Sequence, residues 1–258
     1  MVTAAEPRPV VTMTGIGKSF PGVRALDEVD FRLFPGEVHA LMGENGAGKS
    51  TLIKVLTGVY DVDRGEITLD GKPVRFAGPG QAQQAGVSTV YQEVNLCANL
   101  SVAENIYLGR QPRRFGRIRW GELRRRARAL LDRIGLDVDV SSTLGTHSIA
   151  VQQMVAIARA IDISAKVLIL DEPTSSLDAG EVAQLFRVLR QLKSDGMAIL
   201  FVSHFLDQVY EISDRMTVLR NGRRVGEYRT RELSQLDLVS AMLGTELAEL
   251  EQDRKSVV

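Results

Sequence analysis

The sequence predicts an α/β fold in which a mostly parallel core sheet follows an antiparallel β lead-in and carries a helical subdomain. Short, almost wholly apolar runs are typical of parallel strands buried on both faces, and they cover residues 38–42, 167–170 and 198–202. Segments with apolar residues at helical spacing separate these runs. A glycine-rich loop joins the first run to a helical pattern, as in the strand–loop–helix units of α/β proteins.

The glycine-rich segment, residues 43–51, is here called the glycine loop. It reads Gly43-Glu44-Asn45-Gly46-Ala47-Gly48-Lys49-Ser50-Thr51 and matches G-x-x-x-x-G-K-[ST], the P-loop pattern. Its glycines allow backbone N–H groups to point at the phosphates of a nucleotide, and the helix beginning at Lys49 adds the positive end of its dipole. We expect Lys49 to reach the β- and γ-phosphates and the Ser50 hydroxyl to hold Mg²⁺. A chance glycine turn before a helix is the structural alternative.

Polar residues directly follow the other two buried runs. Asp171 and Glu172 come after the run at 167–170, and His204 comes after the run at 198–202. Carboxylates at the exit of a buried strand are costly unless they are paired or lie near a cation. We therefore predict that one of them serves the metal and that the other readies a water molecule. A functional role is favoured for His204, because ligands of open α/β folds bind at the carboxyl ends of strands.

Gln92 follows a further predicted strand at 87–91. It is either a loop residue without a role or a second ligand of the metal held by Ser50. Phe20 lies in the β lead-in, where it either stacks on an adenine ring or packs in the core or a loop, the commoner role of an aromatic side chain. Within the lead-in, the tight Pro35-Gly36 connection predicts antiparallel pairing of the strands on its two sides.

The helical pattern covers residues 101–164 and contains an arginine-rich stretch at 113–128. These arginines either contact anionic lipid or nucleic acid, or form the solvated face of a helix, which the spacing of the intervening apolar residues favours. Ser101 and Glu104 match a capping box, and Ser148 is expected near the N-cap of the next helix.

Composition limits the class of partner. The 258 residues contain 32 Lys and Arg against 32 Asp and Glu, and this balance argues against nucleic acid as a partner. The single cysteine, Cys97, leaves no disulfide within these residues and fits a reducing compartment.

Taken together and in this order, the motifs of residues 10–245 resemble an ATP-binding cassette (ABC) ATPase. The resemblance makes the glycine loop the Walker A motif, Asp171 and Glu172 the Walker B pair, and residues 175–178 the D-loop. It likens Phe20 to the adenine-stacking aromatic, Gln92 to the Q-loop glutamine and His204 to the switch histidine. It implies ATP and Mg²⁺ as ligands, with the metal held by Ser50 and Gln92 and, through water, by Asp171. It also implies Lys49, Glu172 and His204 as catalytic residues.

Finer details resemble the ATPases of bacterial sugar importers of the ribose, galactose and xylose class, in particular the galactofuranose type. The similar segments are 44–60, 91–93, 160–166 and 204–210. The resemblance implies ATP hydrolysis that energises import of a monosaccharide from the cytoplasmic side of the inner membrane. The implied partners are a second cassette, transmembrane permease subunits and, indirectly, a periplasmic sugar-binding protein.

One motif departs from the family pattern. The signature Leu-Ser-Gly-Gly-Gln corresponds to residues 147–151, where Ser148 is kept but Ala150 and Val151 replace the second glycine and the glutamine. Because the resemblance places the signature of one cassette on the ATP of the other, Ser148 is a candidate nucleotide contact in a partner's site. The departure also leaves two alternatives open: a regulatory cassette with little turnover, and an ABC ATPase that does not serve transport.

The resemblance also suggests where the domain ends. We expect a disordered segment at 1–9, one ATP-binding domain at 10–245 with a helical subdomain at about 93–164, and a tail at 246–258. We expect the native chain to continue beyond this tail into a second cassette.

Overall fold

The computed structural model describes residues 8–90, 96–163 and 165–244. Within these residues the strands are β1 (Val11–Phe20), β2 (Val23–Leu33), β3 (Val38–Met42), β4 (Arg64–Leu69), β5 (Lys72–Pro73), β6 (Val87–Val90), β7 (Arg113–Arg114), β8 (Arg117–Ile118), β9 (Val167–Asp171), β10 (Ala198–Val202), β11 (Arg215–Arg220) and β12 (Arg223–Arg229). The α-helices of the same residues are α1 (Lys49–Leu56), α2 (Pro79–Ala85), α3 (Val102–Ile106), α4 (Trp120–Arg133), α5 (Ile149–Asp162), α6 (Ala179–Ser194), α7 (Leu206–Ile212) and α8 (Gln235–Leu243). The predicted α/β class is confirmed.

The larger sheet forms the centre of the molecule and has the strand order β12-β11-β3-β10-β9-β6. β3 pairs in parallel with β10 and β11, and β9 pairs in parallel with β10 and β6. β12 runs antiparallel to β11 across the Asn221-Gly222 turn. The carboxyl ends of β3, β10 and β9 therefore lie side by side, at the edge where an open α/β sheet binds its ligand.

The smaller sheet is the β lead-in and has the order β2-β1-β4-β5 with antiparallel pairing throughout. The prediction that the strands on either side of Pro35-Gly36 pair with each other is wrong. β2 belongs to the smaller sheet and β3 to the larger one, where both edges of β3 are taken by β10 and β11. The turn itself is bonded elsewhere, because Gly36 N donates to Gly196 O at 3.1 Å.

Alternate residues of the central strands pack on opposite faces of the larger sheet, as the period of a β-strand requires. On one face, Ile169 and Leu200 pack in the cluster that contains α1 and the lead-in strands. On the other face, Leu168 and Phe201 pack in the cluster that contains the helices α3 to α7. Both faces of β3, β9 and β10 are therefore buried, which explains why their sequences lack the apolar–polar alternation of a half-exposed strand.

The helical region between β6 and β9 begins with a fully formed capping box. Ser101 Oγ accepts the backbone N–H of Glu104, and the Glu104 carboxylate accepts the N–H of Ser101. The next helix, α4, buries Leu123, Ala127 and Leu131 along one face. This region is not wholly helical, because β7 and β8 form a small antiparallel hairpin ahead of α4.

Among the residues that the structure describes, none of the helices combines the length and the apolar character of a membrane span.

Candidate functional site

The glycine loop connects the end of β3 to the start of α1, and two of its glycines have no room for a side chain. Gly43 has φ +147°, and a Cβ there would lie 2.3 Å from Leu219 O. Gly48 has φ +107°, and its Cβ would lie 2.8 Å from Ala25 O. The backbone thus passes close to β2 and β11 in conformations that L side chains rarely adopt. Glu44, Asn45 and Gly46, between these two glycines, are exposed.

Lys49 is the first residue of α1 and its ammonium group lies over the loop. Its Nζ donates to Gly43 O at 2.7 Å and to Glu44 O at 3.0 Å. Burial lowers the pKa of Lys49 below its ordinary value, while the negative charges of Glu172 and Asp171 act in the opposite direction. The loop carbonyls and these carboxylates thus hold a cation at the start of the helix, where bound phosphates would meet it.

Ser50 and Thr51 complete the first turn of α1. Ser50 is exposed and Thr51 is half-buried, and both line a cleft that opens beside the glycine loop. The turn between β11 and β12 forms another wall of this cleft, where Gly222 N donates to Ala47 O at 3.1 Å. Asn-Gly between two apolar segments is typical of a tight hairpin turn, and nothing in this local pattern indicates that the turn also supports the glycine loop.

The acidic pair lies where β9 ends, next to β10. Burial, reinforced by the negative charge of Glu172, raises the pKa of Asp171 above its ordinary value, although Lys49 and Lys54 favour its ionised form. Glu172 has φ +52°, a left-handed conformation that is unusual for a residue with a side chain. Its N–H donates to Val202 O at 2.9 Å and so extends the pairing with β10 by one residue.

His204 faces this acidic pair from the neighbouring strand end. A hydrogen bond of 2.6 Å joins His204 Nδ1 to Glu172 Oε2. The histidine ring also contacts the ring of Phe205, with 4.0 Å between the centroids. The His204 side chain is 59% exposed and that of Glu172 is 25% exposed, so both reach the surface at the sheet edge. The structure therefore brings together the predicted residues Glu172 and His204, and Lys49 is coupled to Glu172 through charge.

Phe20 ends β1 and is half-buried. Its ring contacts the edge of Tyr60 with 5.1 Å between the centroids, and Lys18 Nζ lies 5.7 Å from its centroid. Lys18 is itself held by Asp63, whose carboxylate accepts its Nζ at 2.8 Å. A packed aromatic with a partly open surface suits either of the two roles considered for Phe20. Nothing in the sequence pattern singled out Tyr60, which comes 40 positions later in the chain.

Ser148 begins α5 as its N-cap and its hydroxyl accepts the N–H of Val151, 3.4 Å away. Among the described residues, Ser148 forms no hydrogen bond with the glycine loop of its own chain. Ala150 is only 3% exposed in the first turn of this helix. One turn further on, Gln153 Nε2 lies 3.5 Å from Pro173 O, so α5 contacts the loop that follows Glu172. Gln92 lies outside the described residues.

The residues present suit magnesium nucleotide. In the described ranges, no cluster of three His, Cys, Asp or Glu side chains could hold a metal ion by itself. Mg²⁺ prefers oxygen ligands and usually takes only one or two carboxylates together with water and phosphate oxygens. A serine hydroxyl at the start of α1 and a carboxylate whose pKa is raised at a strand end provide such a partial set of ligands.

Three comparisons with known proteins bear on this site. The family profile described as "ABC transporter" matches residues 26–175, which include the glycine loop and the acidic pair. The fructose import ATP-binding protein FruK of Bifidobacterium longum (strain NCC 2705) is 56% identical over 248 residues, 96% of this chain and 48% of that protein. The galactofuranose transporter ATP-binding protein YtfR of Escherichia coli (strain K12) is 56% identical over 246 residues, 95% of this chain and 49% of that protein.

A solved structure supports the same assignment of the fold. The crystal structure of a nucleotide-free ATP-binding cassette from an ABC transporter superposes with a TM-score of 0.77 and 25% sequence identity. The match covers 92% of this chain and 96% of that one. In contrast, this chain spans about half the length of the curated relatives that it matches.

Proposed function

Because this chain belongs to the ABC transporter family, we propose that it binds and hydrolyses ATP to drive the import of a monosaccharide. The observation that carries the proposal is the hydrogen bond between Glu172 and His204 at the carboxyl ends of the parallel strands β9 and β10, with the P-loop lysine coupled to Glu172 through charge. The two relatives support the sugar-import part, since both are named as ATP-binding proteins of sugar transporters.

ATP would lie with its phosphates on the glycine loop. The loop N–H groups and Lys49 would bind the β- and γ-phosphates, and Phe20 would stack on the adenine. Mg²⁺ would be held by Ser50 and Gln92, with Asp171 acting on it through a water molecule, and when bound it neutralises phosphate charge. These residues bind and position the reactants, which supplies most of the catalysis in phosphoryl transfer.

Glu172 would polarise the water that attacks the γ-phosphorus. Its carboxylate reaches the surface and already bonds His204, so the histidine holds it in one orientation. His204 would contact the γ-phosphate and so respond when that phosphate leaves. A water oxygen then bonds to phosphorus while the bond from phosphorus to the ADP oxygen breaks, and the proton of the water passes to the carboxylate or to phosphate.

The partners follow from the same proposal. The chain would pair head to tail with a second cassette, contact transmembrane permease subunits from the cytoplasmic side of the membrane, and act indirectly on a periplasmic sugar-binding protein. Equal identity to a fructose importer and a galactofuranose importer supports a cassette that does not itself contact the sugar.

The test is ATP hydrolysis and transport measured with one set of components. The purified chain is assayed with Mg²⁺ and ATP, first alone and then with a second cassette and the permease in proteoliposomes that enclose the assay buffer, with the sugar-binding protein and sugar added outside. We expect hydrolysis that depends on both cassettes, and sugar uptake that depends on hydrolysis. Absence of magnesium-nucleotide binding even with the partner present would contradict the proposal.

The altered signature favours a second role for this chain within the same assembly. Ala150 is buried and carries a Cβ where the family signature has glycine, and a Cβ at such a position crowds the approach of the backbone to a phosphate. The site that receives residues 147–151 from this chain would then bind ATP and turn it over slowly. The site built on Lys49 would depend on a complete signature from the partner.

A further inference from the structure

We propose that the β7–β8 hairpin and the start of α4, residues 113–125, form a surface that binds the anionic lipid headgroups of a membrane. This segment is here called the arginine surface. The inference adds a direct lipid contact to the proposed location at the membrane, and it is tested without ATP hydrolysis or transport.

The hairpin is held firmly and presents an aromatic side chain at its tip. β7 and β8 pair antiparallel around the Phe115-Gly116 turn, and Arg119 N donates to Pro112 O at 2.8 Å to close its base. Ile118 packs against the larger hydrophobic cluster and so ties the hairpin to the domain. Phe115, in contrast, is 90% exposed. The guanidinium of Arg114 lies 5.2 Å from the centroid of this ring, which is otherwise open to solvent. An exposed aromatic on a defined turn is suited to a partner.

The arginine surface has positive charges that the protein does not neutralise. Five exposed arginines of this surface form no ion pair with any residue that the structure describes: Arg113, Arg114, Arg117, Arg124 and Arg125. Their neighbours differ, because Arg119 and Arg126 both pair with Glu122. The balanced charge of the whole chain thus hides a local cationic surface.

The hairpin also places two like charges against each other. Arg114 and Arg117 are directly paired across the two-residue ladder. Like charges opposite one another destabilise a strand pair. An anionic ligand between or above the two guanidinium groups would remove this repulsion. The arrangement therefore destabilises the free hairpin slightly and favours the binding of an anion.

The aromatic residues favour a lipid surface over a nucleic acid. Trp120, the first residue of α4, is 44% exposed and lies beside the hairpin. Aromatic rings are enriched at the headgroup level of membranes, and basic residues beside them are attracted to anionic lipids. Phe115 and Trp120 are two isolated exposed rings, fewer than the row of stacking platforms with which proteins bind single-stranded nucleic acid.

Trp120 is the only tryptophan among the 258 residues, so the chain carries its own fluorescent probe at the arginine surface. The experiment titrates the full chain with vesicles of phosphatidylcholine alone and with vesicles that also contain phosphatidylglycerol. We expect a blue shift of the Trp120 emission and co-sedimentation with the anionic vesicles only. Binding should weaken as salt is raised, because the screening length falls from about 10 Å at 0.1 M to about 3 Å at 1 M.

Two variants test which residues are responsible. Each basic residue near an anionic surface strengthens binding about fivefold, so Arg114→Gln with Arg117→Gln should weaken it about 25-fold. The matched control is Arg187→Gln with Arg231→Gln, which removes the same charge from exposed residues elsewhere and should bind nearly as wild type. Phe115→Ser should reduce the blue shift and leave the melting temperature unchanged.

Several outcomes would overturn the proposal: equal binding to neutral vesicles, equal loss in the test and control variants, or no response to anionic vesicles. Tighter binding of a single-stranded oligonucleotide, with the same shift of Trp120, would assign the surface to nucleic acid instead. Because ATP hydrolysis with a partner cassette is measured separately, loss of vesicle binding with hydrolysis intact would reject the lipid contact and leave the proposed function standing.

Discussion

His204 Nδ1 and Glu172 Oε2 lie 2.6 Å apart, although 32 positions separate the two residues in the chain. The contact exists because each residue follows one of two neighbouring parallel strands, β10 and β9. Glu172 adopts a left-handed backbone conformation with φ +52°, which costs on the order of 1–2 kcal/mol for a residue with a side chain. The sheet holds this conformation through the bond from Glu172 N to Val202 O.

The first prediction concerns this pair. We expect Glu172→Gln to bind ATP normally and to lower the hydrolysis rate by at least about 100-fold, because an amide keeps the size of the side chain but cannot take a proton from water. Hydrolysis is measured together with the partner cassette, and binding is measured at equilibrium. Glu211→Gln, a change of the same kind at an exposed position on α7, serves as the control. Wild-type turnover in Glu172→Gln would remove this carboxylate from the proposed role.

The second prediction separates two reasons why the glycine loop requires glycine: a positive φ and a lack of space for a Cβ. Gly43→Ala introduces both an unfavourable φ and a Cβ that would lie 2.3 Å from Leu219 O. Gly46→Ala introduces only the unfavourable φ of +84°, a cost of about 1–2 kcal/mol, since no atom lies within 4 Å of its Cβ position. We therefore expect Gly43→Ala to lower the melting temperature of the nucleotide-free chain more than Gly46→Ala does. Equal losses would mean that the contact with β11 is unimportant.

The third prediction follows from the pKa of Asp171, which is raised by burial and by the charge of Glu172. An acid whose pKa is higher in the folded protein than in the unfolded chain holds its proton more tightly when folded. Its contribution to stability is therefore full below the ordinary pKa of 3.8 and is lost as the pH rises through the raised pKa. We expect Asp171→Asn to melt at a higher temperature than wild type at pH 7, and we expect this gain to shrink as the pH falls towards 4.

Calorimetry of the nucleotide-free chain over this pH range provides the measurement. Asp132→Asn, at an exposed position on α4, should change little at either pH. Asp171→Asn should also lose the stabilisation that Mg²⁺ with ATP gives to wild type, because a metal ligand is gone. An Asp171→Asn protein that melts below wild type at pH 7 would show that the attraction of Lys49 and Lys54 outweighs burial.

The fourth prediction concerns the altered signature. We expect the chain alone to hydrolyse ATP on the order of 100-fold more slowly than the same chain with a cassette that carries a complete signature, because loss of a backbone donor to a reacting group has effects of this size. The control replaces the partner with a second preparation of this chain, which keeps the total protein concentration constant. Full activity of the chain alone would contradict the asymmetry that Ala150 and Val151 suggest.

Local sequence patterns predicted the loop and the strand ends on which these residues lie, whereas the pairing between distant segments was harder to predict. The strand at 167–171 and the loop at 43–48 are recognisable because burial on both faces and left-handed backbone conformations each restrict which residues are allowed. The pairing predicted around Pro35-Gly36 is wrong because a tight turn has the same local sequence whether it closes a hairpin or passes the chain from one sheet to another. Both edges of β3 pair instead with β10 and β11, which lie about 160 to 180 residues later in the chain.

The contacts of Phe20 and the glycine loop show the same limit. Tyr60 packs on Phe20, and Gly222 bonds Ala47, across intervals in which no pattern connects the two partners. The roles of all the site residues stay predictions. Gln92 in addition lies outside the described residues, and the proposed contact of Ser148 is with another cassette.

The close contact between Gly43 and the backbone of Leu219 limits how far this protein can be truncated. The segment from 26 to 175 holds every residue of the glycine loop together with Asp171 and Glu172, yet it lacks the carbonyl of Leu219 and the N–H of Gly222. A fragment that stops there would carry the glycine loop and the acidic pair without the backbone of β11 and of the 221–222 turn that contacts the loop. We expect such a fragment to fail at holding a triphosphate, so the smallest competent unit extends at least through the turn at 221–222.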